Sequence, residues 1–417
     1  MRIQLFNPPT HHYAGSRYRM NPALGLPILA AVLEGKGHTA EVMDLEALGV
    51  SPAQLGAAYA SQPDRWPDAV GFTCLSTQVR GVKDSIAALR GVGYTGRIVV
   101  GGPHLSIPDA GWWKAPLEWG ADAAVQGECE GNVAEVFAGT QHVYIGAPMP
   151  IEAIPAPLWT KHRPLPGGYA GNLPKIGNPE GISMWSRGCP HGCIFCGNPV
   201  FGRQAVRRRP PEAIRDELAA LQRFGVRSVF VYDDELPGMP GGDTWLMEVC
   251  EAIRPLGLKW KCQGRCSERT PPEVYRAMYD AGCRAIMWGV ESFSERVLRA
   301  MHKGTNERDI TASLEGAHAA GIGNWLFLMV GNYGETPADL AHTEARLRAL
   351  NGAGLVQWRQ VTVCTPVRGT PLYEYAKADG WLREAPETGP QMRQVYAPTP
   401  WLTEREIAGW VARLEAA

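Results

Sequence analysis

The sequence predicts an α/β protein of two successive units: an N-terminal doubly wound, Rossmann-like domain, then a partial (β/α)6, TIM-like barrel. Three observations predict it. Short apolar strands alternate with helical patterns through the first third of the chain. Prolines then concentrate over 148–179, which reads as a linker. Beyond them strand and helix alternate six more times, too few to close an eight-stranded barrel. The expected division is 1–140 for the first domain, 141–180 for the linker, 181–380 for the barrel and 381–417 for a short helical segment.

Taken in order, Ile3 and Leu5 begin a strand that Pro8 and Pro9 stop. Leu26, Leu29, Ala30 and Leu33 recur at helical spacing, and Gly35 and Gly37 end that helix. Further strands are expected at 40–44, 68–74, 97–100 and 122–125, and a last helix at 130–138. Crossovers in such a sheet are right-handed, and ligands bind beyond the carboxyl ends of the strands. The loops 7–21, 74–78, 101–104 and 127–130 should therefore gather. Barrel strands are expected at 182–186, 228–232, 258–262, 285–290, 325–330 and 356–363. Ile214, Leu218 and Leu221 mark the stripe of one barrel helix, which Gly225 stops, and 404–417 reads as a final helix.

Composition narrows the class. Over 417 residues, 45% apolar and 20% charged side chains exclude wholesale disorder. Lys plus Arg (41) balances Asp plus Glu (42), so no net field favours nucleic acid or anionic lipid. The longest apolar candidate, 325–330, is strand-sized, and the N-terminal MRIQLFNPPTHH is too short for a signal peptide. A cytoplasmic protein without membrane or nucleic-acid partners is expected. There, ten cysteines point to metal or redox chemistry rather than to disulfides.

Three of them stand in Cys189-Pro-His-Gly-Cys193-Ile-Phe-Cys196, after the first barrel strand. Pro190 and Gly192 keep this segment a loop, and three soft thiolates suit three corners of an iron–sulfur cluster with one iron left open. His191 offers an alternative, a structural Cys3His zinc site, but it lies only two residues from Cys189 and Cys193. Inert core thiols are a poor match for a loop broken by Gly and Pro. Cys262 and Cys266, with Cys250 and Cys283 nearby, could suggest a second cluster. Only Cys364 lies beyond them, so buried free thiols are expected.

This CxxxCxxC motif, on a partial βα barrel, resembles that of the radical S-adenosylmethionine (radical SAM) superfamily over roughly residues 180–380. The resemblance implies a [4Fe-4S] cluster on Cys189, Cys193 and Cys196, with Phe195 beside the SAM adenine. Asp233, Asp234 and Glu235 stand where the family binds the methionine ammonium, although the usual Gly-Gly-Glu is absent. Arg265 would pair with the methionine carboxylate and Glu291 with the ribose. The segment from Gly331 to Thr336 resembles the glycine-rich stretch near the adenine, and Thr365 to Tyr373 the barrel-closing loop.

The first domain lacks GxGxxG after its first strand, which disfavours dinucleotides. On Gly25-Leu-Pro-Ile-Leu-Ala-Ala-Val-Leu-Glu, Gly101-Gly-Pro-His104 and Gly127-Glu-Cys-Glu-Gly131 it resembles the cobalamin-binding domain of one large radical SAM class. That resemblance implies cobalamin beside Leu75, Ser76, Thr77, Gly101, Gly102, His104, Gly127 and Glu128. With no Asp-x-His-x-x-Gly in the chain, no histidine signature marks a replacement lower ligand.

The implied activity is a cobalamin-dependent radical SAM methyltransferase acting on an unactivated carbon of a small molecule or peptide, through a 5′-deoxyadenosyl radical and methylcobalamin. An electron donor such as flavodoxin or ferredoxin is implied with it. The same cofactors could instead serve rearrangement, ring formation or oxidative cyclisation. The non-enzymatic alternative is a corrinoid or metal-binding module with structural zinc. The substrate is expected to be enclosed by barrel loops, the linker and the loop 10–20.

Overall fold

In a computed structural model of the chain, residues 1–10, 21–107, 114–166, 168–169, 173–202, 205–383 and 398–417 are described. Most of the expected loop 10–20 lies outside them. The N-terminal sheet holds β1 (Arg2–Asn7), β2 (Thr39–Asp44), β3 (Ala69–Thr73), β4 (Arg97–Gly101), β5 (Ala123–Gln126), β6 (Val143–Ile145) and β7 (His162–Arg163). Their spatial order is β6-β5-β4-β3-β1-β2-β7, and every pairing is parallel. The winding reverses at β1, so a crevice opens beyond the ends of β1 and β3.

Side-chain alternation makes the sheet doubly wound. Phe6, Ile98 and Val100 pack with Val82, Ile86 and Leu89 of the helix Val79–Gly91 on one face. Leu5 and Val99 pack on the other face with Leu26, Ala30 and Leu33 of the helix Gly25–Gly35. Each fully buried aliphatic side chain of this kind contributes ~1.5–3 kcal/mol.

The stretch read as a linker is built into the fold. It supplies β6 at one edge of the sheet and β7 at the other, where His162 pairs with Val42 and Arg163 with Met43. Proline-rich sequence suits edges, where fewer backbone N–H groups are needed in the ladder. Between the two strands, Ile151, Ile154 and Trp159 join Leu24 and Ile28 in the same core as Ile182 and Trp185 of the barrel. The two units therefore share apolar packing.

The second sheet runs in sequence order through β8 (Glu180–Ser183), β11 (Ser228–Val231), β12 (Lys259–Gly264), β13 (Cys283–Glu291), β14 (Gly323–Val330) and β15 (Trp358–Val363). All five pairings are parallel. Among the described residues β8 and β15 do not pair, so the barrel stays open. A short antiparallel ribbon, β9 (Ser186–Arg187) with β10 (Arg207–Arg208), flanks the cysteine loop. The helix Pro211–Arg223 buries Ile214, Leu218 and Leu221, and Gly225 leaves it at φ +79°. The tail helix Glu404–Ala416 packs Ile407, Trp410 and Leu414 into the barrel's helix-side core.

Candidate active site

The cysteine loop is moulded by the acidic triplet after β11. Asp233 is fully buried, and its carboxylate accepts from Trp185 N at 2.7 Å and Ser186 Oγ at 2.6 Å. Burial lifts its pKa to about 7. Both its oxygens are thus committed to the stem of the loop, inside the fold. Asp234 accepts from Gly188 N at 3.0 Å, where the chain turns at φ +105°, and from Asn198 Nδ2 at 2.7 Å. Glu235 reaches the loop itself, accepting from Cys189 Sγ at 3.4 Å and lying 3.3 Å from His191 Nε2. Burial and the Glu235 charge push the Cys189 thiol up to about 12.

These contacts bear on which metal group fits. Among the described residues, Cys189, His191 and Glu235 bring ligand atoms within 4.8 Å of one another, but the three cysteines do not form such a group. His191 thus turns to Glu235 rather than completing a Cys3His set, and the thiols are spread wider than the shell of one zinc ion. A polynuclear cluster bridges such a spread. Positive charge is also close: Arg265 Nη1 lies 3.9 Å from Cys193 Sγ.

Around Cys193 the ends of several strands converge. Glu291 ends β13 at φ +65°, just after a register shift in the sheet, and its Oε1 accepts from Lys303 Nζ at 3.0 Å. Lys303 lies over the Phe195 ring, 5.9 Å from its centroid, and the nearby carboxylate raises its pKa against the opposing effect of burial. A Cβ on Gly289 would stand 2.9 Å from Glu291 Oε1 and 3.0 Å from Lys303 Nζ, so a side chain there would crowd the pair. Gly331 turns at φ +87°, and its N–H donates to Glu335 Oε2 at 2.8 Å. Arg265, Glu291, Phe195 and the cysteines are therefore brought together. Lys303 was not singled out in the sequence, where a lysine in a loop after a short helix carries no periodic signal.

On the N-terminal sheet, Leu75, Ser76 and Thr77 follow β3 at the switch point. Gln78 fixes them: its Oε1 accepts from Leu75 N at 3.0 Å and its Nε2 donates to Asn7 Oδ1 at 2.8 Å. His104 is buried, with Nδ1 3.1 Å from Ser76 Oγ. Burial, and then the charge of Arg368, lowers its pKa to about 4, which keeps the ring neutral. Gly102 sits at φ +109°, where a Cβ would come 2.6 Å from Cys74 N. Gly101 precedes it at the end of β4, and Gly127, at φ +89°, donates its N–H to Ser106 Oγ at 3.0 Å. Glu128 instead faces the barrel, held by Arg187 at 3.0 Å and Arg207 at 2.8 Å. Glu130 pairs with the same Arg187 at 2.6 Å. This clamp, also absent from the sequence reading, ties the loop after β5 to the residue two before Cys189.

The two halves match known families in this order. The B12 binding domain matches residues 12–137 and the Radical SAM superfamily matches residues 184–347. The chain carries a B12-binding domain followed by a radical SAM domain. A Pyrococcus horikoshii protein named as an uncharacterized methyltransferase, PH0819, is 26% identical over 92% of this chain and 84% of its own. An anaerobic magnesium-protoporphyrin IX monomethyl ester cyclase from Rubrivivax gelatinosus is 23% identical over 87% of this chain and 68% of its own. The chain spans less than half the length of several other curated methyltransferases that it matches. Its fold is shared with the radical SAM methyltransferase TsrM from Kitasatospora setae, solved with cobalamin and a [4Fe-4S] cluster. That match has a TM-score of 0.69 at 18% identity, covering 92% of this chain and 79% of the other. No helix among the described residues is long and apolar enough to cross a membrane.

Proposed function

We propose that this radical SAM enzyme is a cobalamin-dependent methyltransferase acting on carbon in a small molecule. One observation carries the reading: the cysteine loop of the barrel and the ligand loops of the B12-binding domain are clamped side by side. Arg187, two residues before Cys189, holds both Glu128 and Glu130. On the far side, the charge of Arg368, in the loop after β15, reaches His104. In this reading the barrel mouth and the switch-point crevice face one chamber, in which two cofactors and a substrate can be aligned.

In this reading Cys189, Cys193 and Cys196 hold the cluster. Arg265 takes the SAM carboxylate and Glu291, steadied by Lys303, the ribose, while Phe195 and the Gly331 turn flank the adenine. The ammonium falls to Asp234 and Glu235, because Asp233 is buried in the loop stem. Leu75, Ser76 and Thr77 underlie the corrin, with the Gly101-Gly102 turn, Gly127 and neutral His104 beside it. Glu128 acts instead as a domain clamp. Bound together, the cluster and cobalamin supply a substrate radical and a methyl group; the protein's part is to orient, exclude water and keep the two reactions apart. A flavodoxin or ferredoxin-type donor would deliver the electron.

Cyclisation is the second reading, favoured by the likeness to the Rubrivivax cyclase over 87% of this chain and 68% of that one. Product analysis separates the two. With reductant, cobalamin and substrate, methyl-labelled SAM should yield labelled product together with 5′-deoxyadenosine and S-adenosylhomocysteine. Deoxyadenosine with an unmethylated, altered product would favour the cyclase reading.

A further inference from the structure

We infer that the inner wall of the open barrel recognises an uncharged, planar substrate with a hydrogen-bonding edge, held by Tyr232, Gln263 and Gln360 against Phe327 and Trp358. This rests on the reading above, in which the barrel mouth opens into the reaction chamber. Strand alternation decides which side chains face inward. Val231, Cys262, Leu326 and Val361 pack into the core that also holds the helix residues Leu218, Val249 and Leu347. Their neighbours along each strand therefore face the barrel interior. Register sets Gln263 beside Met287 and Phe327 beside Gln360.

Phe230, Met287 and Trp325 pack with Leu173 and Ile176, and Phe327 and Trp358 lie against the same cluster. Beside this packed layer, at the register level of Gln263 and Trp358, the wall keeps accessible surface. Tyr232, stacked edge-on against Phe230 at 5.1 Å, is 50% exposed, and Gln263, Phe327, Trp358 and Gln360 are half-buried. Inward side chains that small barrels normally bury against one another here line a space.

The chemistry of that space is specific. Toward the described residues, neither the Tyr232 hydroxyl nor the Gln360 amide makes a hydrogen bond, and Gln263 makes one long contact, Nε2 to Asp233 O at 3.4 Å. The inward charges, by contrast, are matched: Lys261 pairs with Glu180 at 2.9 Å and Lys303 with Glu291 at 3.0 Å. Arg265 is engaged beside Cys193. The next charges are Asp234, which acts on Tyr232 and is assigned above to the SAM ammonium, and Lys175, which acts on Lys261 and donates to Tyr169 O. Beside Tyr232 a substrate carboxylate would meet a like charge and would lose its hydration. A neutral amide or lactam edge would satisfy the three polar groups, and a flat ring would lie against Phe327 and Trp358, themselves edge to face at 6.3 Å.

The test uses reconstituted full-length protein with SAM bound and three probes: 2-naphthamide, 2-naphthoate and cyclohexanecarboxamide. Equilibrium dialysis should find 2-naphthamide at least about tenfold tighter than the other two, and severalfold weaker in Tyr232→Phe and in Gln360→Leu, a loss typical of one hydrogen bond. Circular dichroism and Tm monitor folding, and the milder Tyr232→Phe keeps the test open if Gln360→Leu misfolds. Equal binding of the naphthoate, or unchanged binding in both variants, overturns the inference. Selective binding of the carboxamide by a protein that proves to transfer no methyl group would support this inference while contradicting the proposed function. Methyl transfer to a charged substrate, unaffected by Gln360→Leu, would do the reverse.

Discussion

Glu291 holds a backbone conformation, φ +65°, that costs a side-chain-bearing residue roughly 1–3 kcal/mol. The turn aims its carboxylate at Lys303 rather than along the strand. Two changes separate its roles. Glu291→Gln keeps the shape and removes the charge, so SAM affinity should fall by ~1.5–3 kcal/mol, the worth of a charge-assisted hydrogen bond. Lys303→Met leaves a buried carboxylate unpaired and should also destabilise the fold, by about 3 kcal/mol. Calorimetry with SAM and urea unfolding would measure both, and unchanged SAM affinity in Glu291→Gln would move the ribose role elsewhere. At this scale the sequence offered candidate ligand residues but not their neighbours. The acid at 291 could be placed because it ends a strand, whereas Lys303 and Arg187 act through tertiary contacts that no local pattern encodes. Asp233 shows the converse: its position marks a ligand motif, but burial turns it to the loop stem.

The turn after β14 illustrates how an element is fixed by one acid. Glu335 accepts from the N–H groups of Gly331 and Asn332 at 2.8 and 3.2 Å, and burial raises its pKa to about 7. Its folded value lies above the ordinary 4.5, so the folded state holds the proton more tightly than the unfolded chain. The favourable effect is complete below about pH 4.5 and fades as pH rises to about 7. Glu335→Gln removes the titration. Wild type should therefore lose stability relative to this variant between pH 5 and pH 8, by roughly 3 kcal/mol for a shift of this size. Urea unfolding at both pH values checks it, and parallel pH profiles would contradict it. Elements with strong periodicity, such as Ile214–Leu218–Leu221, were legible in the sequence, as were all six barrel strands. The edge strands β6 and β7 were not. Each is two or three residues long, set among prolines, and made by pairing rather than by pattern.

At the scale of the whole molecule, the two wound units are joined by a shared apolar core and by the Glu128–Glu130–Arg187–Arg207 clamp, placed behind the cysteine loop. In the proposed function this loop carries a radical-generating cluster while cobalamin depends on the other unit. Replacing Cys189, Cys193 and Cys196 together by Ala separates the two, since none belongs to the N-terminal sheet. The decisive measurement is iron, cobalamin and 5′-deoxyadenosine on the same anaerobically reconstituted preparations of wild type and triple variant. Wild type should hold about four irons, one cobalamin and cleave SAM; the variant should lose the iron and the deoxyadenosine and keep the cobalamin. A variant that retains its iron and still forms deoxyadenosine would rule out Cys189, Cys193 and Cys196 as the cluster ligands.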